Sequence, residues 1–109
     1  MAVTTPRIFA QLKPTDTVNE TRLLQLNPAT HGQVTLYVCN QGSGAEFFRI
    51  ALVPANSVLA SARYIAYDTP LTGNGVFSVA GIGLSAGDAI WVKSTNGDLS
   101  FTATGIEFS

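Results

Sequence analysis

Apolar and polar positions alternate with a period of two along most of the chain, and clusters of Gly, Asn, Pro and Ser interrupt the alternation. From Gln33 to Asn40, Val34, Leu36 and Val38 fall on one face and Thr35, Tyr37 and Cys39 on the other. After Gln41-Gly42-Ser43-Gly44, the run Glu46 to Val53 sets Phe48, Ile50 and Leu52 against Phe47, Arg49, Ala51 and Val53. Two such runs around a short glycine-rich turn predict a hairpin, with both glycines free to take positive φ. Similar patterning predicts strands over Arg7–Leu12, Thr21–Leu26, Ala62–Asp68, Val76–Ala80, Ala89–Thr95 and Leu99–Phe108. Asn96-Gly97 is the preferred pair for a tight hairpin turn between the last two. Pro54 to Ala60 is long enough for one helical turn capped by Asn56 or Ser57, too short to stand alone, and reads as a surface loop.

About eight strands at this spacing predict an all-β fold, a single antiparallel β-sandwich. A jelly roll is favoured over an immunoglobulin-like sandwich on strand count, and the strand order stays open. The predicted core is Val34, Leu36, Val38, Phe48, Ile50, Leu52, Ile90, Val92, Leu99 and Phe101. Residues 7–109 form the sandwich domain in this reading. Residues 1–6, polar and closed by Pro6, form a flexible N-terminal arm.

Composition narrows the class. Hydrophobic residues are 46% of 109 and charged residues only 12%, which excludes a disordered chain and a solvated helical bundle. Six basic and seven acidic residues give a net charge of −1, so neither a nucleic acid nor a membrane is an expected partner. Cys39 is the single cysteine, so no intrachain disulfide forms, and its place on an apolar strand suggests a small buried hydrophobe. The start of the chain shows no leader pattern and no stretch approaches about eighteen apolar residues, so the expected product is a soluble chain made in a host cytoplasm.

Candidate chemistry is sparse. His31, the one histidine, sits in a turn-like stretch, and an enzyme reading, a small hydrolase or isomerase, would rest on it alone. Gly81-Ile82-Gly83-Leu84-Ser85-Ala86-Gly87 departs from a dinucleotide fingerprint in its last glycine, and Leu84-Ser85-Ala86-Gly87-Asp88 reads as a turn before a strand. Asp16, Glu20 and Asp68 lack calcium-loop spacing. The expectation is a non-enzyme with no catalytic, cofactor-binding or metal-ligating residue. Tyr37, Tyr67 and Trp91 read as core or subunit contacts ahead of a sugar-stacking platform.

The order and spacing of several segments supply a likeness. Val38-Cys39-Asn40 precedes a Gly/Ser turn and Phe48-Arg49-Ile50-Ala51, and Tyr64-Ile65-Ala66-Tyr67-Asp68 follows a small-residue loop. Then come Leu84-Ser85-Ala86-Gly87-Asp88, Ile90-Trp91-Val92, Leu99-Ser100-Phe101-Thr102-Ala103 and Gly105-Ile106-Glu107. In this pattern, over residues 7–109, the chain resembles the small virion structural proteins of tailed bacteriophages, found in cyanophages among others. The resemblance implies a capsid decoration or cement protein on the head exterior, with the major capsid protein and further copies of itself, a trimer favoured, as partners. It equally allows a tail, baseplate or fibre component with a receptor- or glycan-binding role. The contact residues expected on this reading are Ala2, Val3, Thr4, Thr5 and Pro6 of the arm, with Arg7, Tyr37, Tyr67 and Trp91.

Overall fold

A computed structural model describes residues 4–108. The strands are β1 (Thr4–Leu12), β2 (Thr21–Gln25), β3 (His31–Asn40), β4 (Glu46–Val53), β5 (Tyr64–Leu71), β6 (Val76–Leu84), β7 (Ala89–Ser94) and β8 (Leu99–Phe108). A single 3-10 turn, Ser61–Arg63, precedes β5. Two four-stranded antiparallel sheets result, ordered β1-β8-β3-β6 and β2-β7-β4-β5. Strand pairs β1·β8, β2·β7, β3·β6 and β4·β5 nest one inside the next. That nesting is the jelly roll: a long antiparallel ribbon folded over on itself, with each strand of its first half paired to one of its second.

The alternation predicted the buried face well. Val34, Leu36 and Val38 of β3 and Leu99, Phe101 and Ala103 of β8 pack against Phe48, Ile50, Ile90 and Val92 of the other sheet. Phe48 and Phe77 meet across the sandwich with ring centroids 5.0 Å apart. Leu52 departs from the prediction: it is half-buried, while Ala51 and Val53 on its opposite face are buried. Cys39 is also only half-buried, because it shares the outward face of β3 with Tyr37.

The hairpin predicted between β3 and β4 does not form. Both hydrogen-bonding edges of β3 are taken by β8 and β6, so residues 41–45 carry the chain across to the second sheet. Neither Gly42 nor Gly44 has a positive φ. Asn96-Gly97 likewise joins β7 of one sheet to β8 of the other; Gly97 adopts φ +84° but Asn96 does not cross to positive φ, so the turn is not the tight hairpin type. Among the described residues, the one pair of consecutive strands that lie side by side is β4·β5, joined by the Pro54–Ala60 loop and the 3-10 turn. β6 runs on to Leu84, four residues past the predicted Ala80 end, and the turn predicted over Leu84–Asp88 follows it and leads into β7.

At the crossing end, the buried Asn40 side chain adds to backbone bonds such as Asn74 N–H to the Gly42 carbonyl (2.9 Å). Its amide nitrogen donates to the carbonyls of Gly44 (2.9 Å), Leu71 (3.1 Å) and Thr72 (3.2 Å), and its oxygen accepts from Gly42 N–H (2.9 Å). One side chain thereby ties the β3–β4 and β5–β6 crossings together. Gly73 lies so close to this junction that a Cβ there would fall 2.1 Å from the Ser43 carbonyl oxygen.

Two stability effects follow from this packing. Phe48→Ala is expected to cost about 3–5 kcal/mol, measured by denaturant unfolding, because rigid ladders on both sides resist collapse into the cavity. Asn40→Leu should cost about 1–3 kcal/mol by stranding buried carbonyls, and wild-type stability in that variant would show that the crossings do not depend on the amide.

Candidate functional site

The predicted contact residues do not converge on one patch. Ala2 and Val3 lie outside the described residues. Thr4, Thr5 and Pro6, expected in the arm, are strand residues that pair with Phe108, Glu107 and Ile106 of β8. β1 thus begins three residues before the predicted Arg7 start; it is an edge strand, where a proline's missing N–H is tolerated. Arg7 pairs with Glu107 at 2.7 Å, and its guanidinium lies 5.2 Å from the centre of the Phe9 ring. These residues, with Leu24, Gln25, Leu26 and Asn27, line a cavity of about 210 Å³ at the open end of the sandwich.

Tyr37 stands on the outer face of the β1-β8-β3-β6 sheet, opposite Thr102 and Ser78. Tyr67 and Trp91 belong to the other sheet, so Tyr37 faces away from both and the three form no common sugar platform. Trp91 is half-buried, between Arg22 of β2 and Ala51 of β4. His31, read as a loop residue, opens β3 and is exposed.

A network that the sequence did not single out occupies the outer face of the β2-β7-β4-β5 sheet. Residues Tyr67 and Asp68 bulge out of β5 opposite Arg49, and Asp68 takes φ +49°, a conformation that Asp tolerates better than most residues. The bulge turns the Asp68 carboxylate onto Arg49, which donates from Nε at 2.7 Å and from Nη2 at 3.2 Å. Arg49 Nη1 reaches Glu20 at 3.5 Å, and its guanidinium lies 4.0 Å from the centre of the Tyr67 ring. The Tyr64 hydroxyl donates to Glu20, and the Tyr64 ring meets Tyr67 edge-on at 5.0 Å.

The charges respond accordingly. The Arg49 hydrogen bonds hold the Asp68 carboxyl below its usual value. Burial pushes Glu20 up, but the Tyr64 hydroxyl and Arg49 outweigh it and leave the carboxyl below its ordinary range. Tyr64 is raised to about 12 by its burial and by the Glu20 carboxylate. Arg49 is held protonated, chiefly by Asp68. Every cation and anion in the network is satisfied within it, so its chemistry is that of a structural clamp.

Glu46 is the opposite case. It is 1% exposed at the crossing end of the sandwich; its Oε1 accepts from Asn96 N–H at 3.2 Å, and its Oε2 has no partner among the described residues. Burial raises its pKa, and the nearby Asp98 carboxylate pushes the same way against the Asn96 N–H. A neutral Glu46 can donate a proton toward Asp98; a charged one cannot.

No protein-family model matches the sequence, and no curated protein does either. Among solved structures the fold is similar to a chain in the structure of infectious bursal disease virus, Gx strain, with TM-score 0.57 and 12% identity over 99% of this chain. This chain spans 32% of that one. A second solved structure, the Podospora anserina GH26-CBM35 β-(1,4)-mannanase, aligns at 15% identity and TM-score 0.36 over 99% of this chain and 27% of its own. The first likeness places the chain's β-sandwich among folds found in a virus structure.

The two kinds of carboxyl predict opposite pH limbs. Glu20 and Asp68 have folded values below their unfolded ones, so their stabilisation is present above the unfolded value, about 4, and fades as pH falls through the folded values. Glu46 has a folded value above its unfolded one, so its contribution is full below that unfolded value and is lost as pH rises through the folded one. Thermal unfolding across this range should show Arg49→Met losing the acid limb and Glu46→Gln losing the decline toward neutral pH. A Glu46→Gln profile parallel to wild type would contradict the buried-acid assignment.

Proposed function

We propose that this protein is a virion structural subunit that decorates the exterior of a bacteriophage head and cements the shell. The observation that carries the reading is a jelly roll with one sheet whose outer face carries no charged residue, in a fold similar to a chain of a virus particle. The resemblance to phage virion proteins points the same way. A subunit that crowds on a shell must resist disorder and must avoid repelling its neighbours. Low charge and short crossings between bulge-free central ladders meet both needs.

The major capsid protein is the partner in this reading, and the contact is made by apolar and hydroxyl-bearing surface in place of ion pairs. Neither a nucleic acid nor a membrane is required for it. Truncating residues 2–6 is a poor probe of attachment, because Thr4, Thr5 and Pro6 are part of the β1·β8 ladder. The full chain is therefore the right reagent.

Mixing the protein with undecorated heads of the virus that encodes it should give saturable occupancy that survives a high-salt wash, since screening weakens only charge-based contacts. Mass spectrometry of purified particles should count it in hundreds of copies, scaled to the major capsid protein. Absence from heads, with a few copies or a few tens on the tail, would replace this reading with a baseplate or fibre component, and binding on a glycan array would then give it a receptor role.

A further inference from the structure

The register irregularities fall in a pattern. β1·β8 slips at Phe9, β2·β7 at Leu23, β3·β6 opposite Thr35, and β4·β5 both at Ile65 and at Tyr67–Asp68. In every case the extra residue belongs to the edge strand, and the central ladders β3·β8 and β4·β7 run without a shift. Bulges twist an edge away from the straight ladder that an incoming strand needs. All four edges are thereby closed to sheet extension, and association is left to the faces.

The two outer faces differ in charge. The β2-β7-β4-β5 sheet carries Arg22, Arg49, Asp68 and Lys93. The four strands of the other sheet contain only Arg7 and Glu107 as charged residues, and these pair with each other at inward register positions. The outward positions of that sheet are hydroxyl, amide, glycine, His31, Cys39 or apolar residues. Ile8 (61% exposed), Val76 (64%) and Tyr37 (44%) are large apolar groups left open on it.

We propose that the outer face of the β1-β8-β3-β6 sheet docks a second copy of this chain about a twofold axis that passes near Tyr37. Three arguments select a second copy as the occupant. A face without charge meets itself with no like-charge repulsion, whereas a charged face would set its own cations against each other near the axis. Hydroxyls such as those of Tyr37, Ser78 and Thr102 both donate and accept, so each can bond to the same group on a mate. Four strands at ~4.8 Å spacing and about eight residues at ~3.4 Å rise offer about 500 Å² per copy, which doubles to the ~1,000 Å² that a specific interface needs. A face shared in this way about a twofold axis closes with two copies, not the three that the virion resemblance favours. The proposal is tested without heads, and in such a dimer attachment to heads falls to the surface outside this face.

The test is sedimentation velocity of the full chain over a concentration series, without heads present. Wild type should sediment as a dimer. So should Val58→Glu, which adds the same charge on an exposed loop away from this face. Thr102→Glu and Ser78→Glu should each weaken the dimer at least about tenfold, with far-UV spectrum and thermal transition unchanged. If Thr102→Glu fails to fold, Ser78→Glu, on the exposed edge strand, decides. A monomeric or trimeric wild type, or a Ser78→Glu variant that dimerises as tightly as wild type, would overturn the proposal.

Discussion

The unbroken ladder between β3 and β8 is the constraint on which the rest of the molecule depends. It pairs His31 through Asn40 with Phe108 through Leu99 without a single slip. Because β6 takes the other side of β3, both of that strand's edges are filled from the second half of the chain. Consecutive strands must then cross between sheets, and the crossings need their own hydrogen bonds. Asn40, at the end of the ladder, adds to them for two crossings at once. Such distant pairings close long loops before they are rewarded, so this topology forms slowly compared with a hairpin meander.

What the alternation reveals is parity, and parity is silent on sheet membership. It separates Phe48 and Ile50 from Phe47 and Arg49 correctly, because a side chain must point to one face or the other. It places Tyr37, Tyr67 and Trp91 on outward rows, yet it cannot show that Tyr37 and Tyr67 look away from each other. The β3–β4 hairpin fails for the same reason: a five-residue crossing and a hairpin loop share their composition. The Arg49 clamp is less legible still. Its partners are 19, 29 and 18 positions from Arg49 in sequence (Asp68, Glu20 and Tyr67), and the bulge that unites them has no composition mark beyond an Asp at φ +49°.

The bulge at Tyr67–Asp68 serves both of the molecule's surfaces. It turns Asp68 onto Arg49, which consumes charge and aromatic surface on the second sheet. It also distorts the β5 edge, as its counterparts distort β1, β2 and β6. With the edges blunted and one face clamped, the charge-free outer face of the other sheet is the surface the proposed dimer uses.

Residue-resolved amide hydrogen exchange on the full chain tests this account most directly. The slowest amides should be those of the central ladders, Leu36, Val38, Phe101 and Ala103 in one sheet and Ile50 and Val92 in the other, with faster exchange on the bulged strands β1, β2, β5 and β6. Protection of β1 or β6 equal to that of β3 and β8 would contradict the claim that regular centres carry the fold and irregular edges only close it.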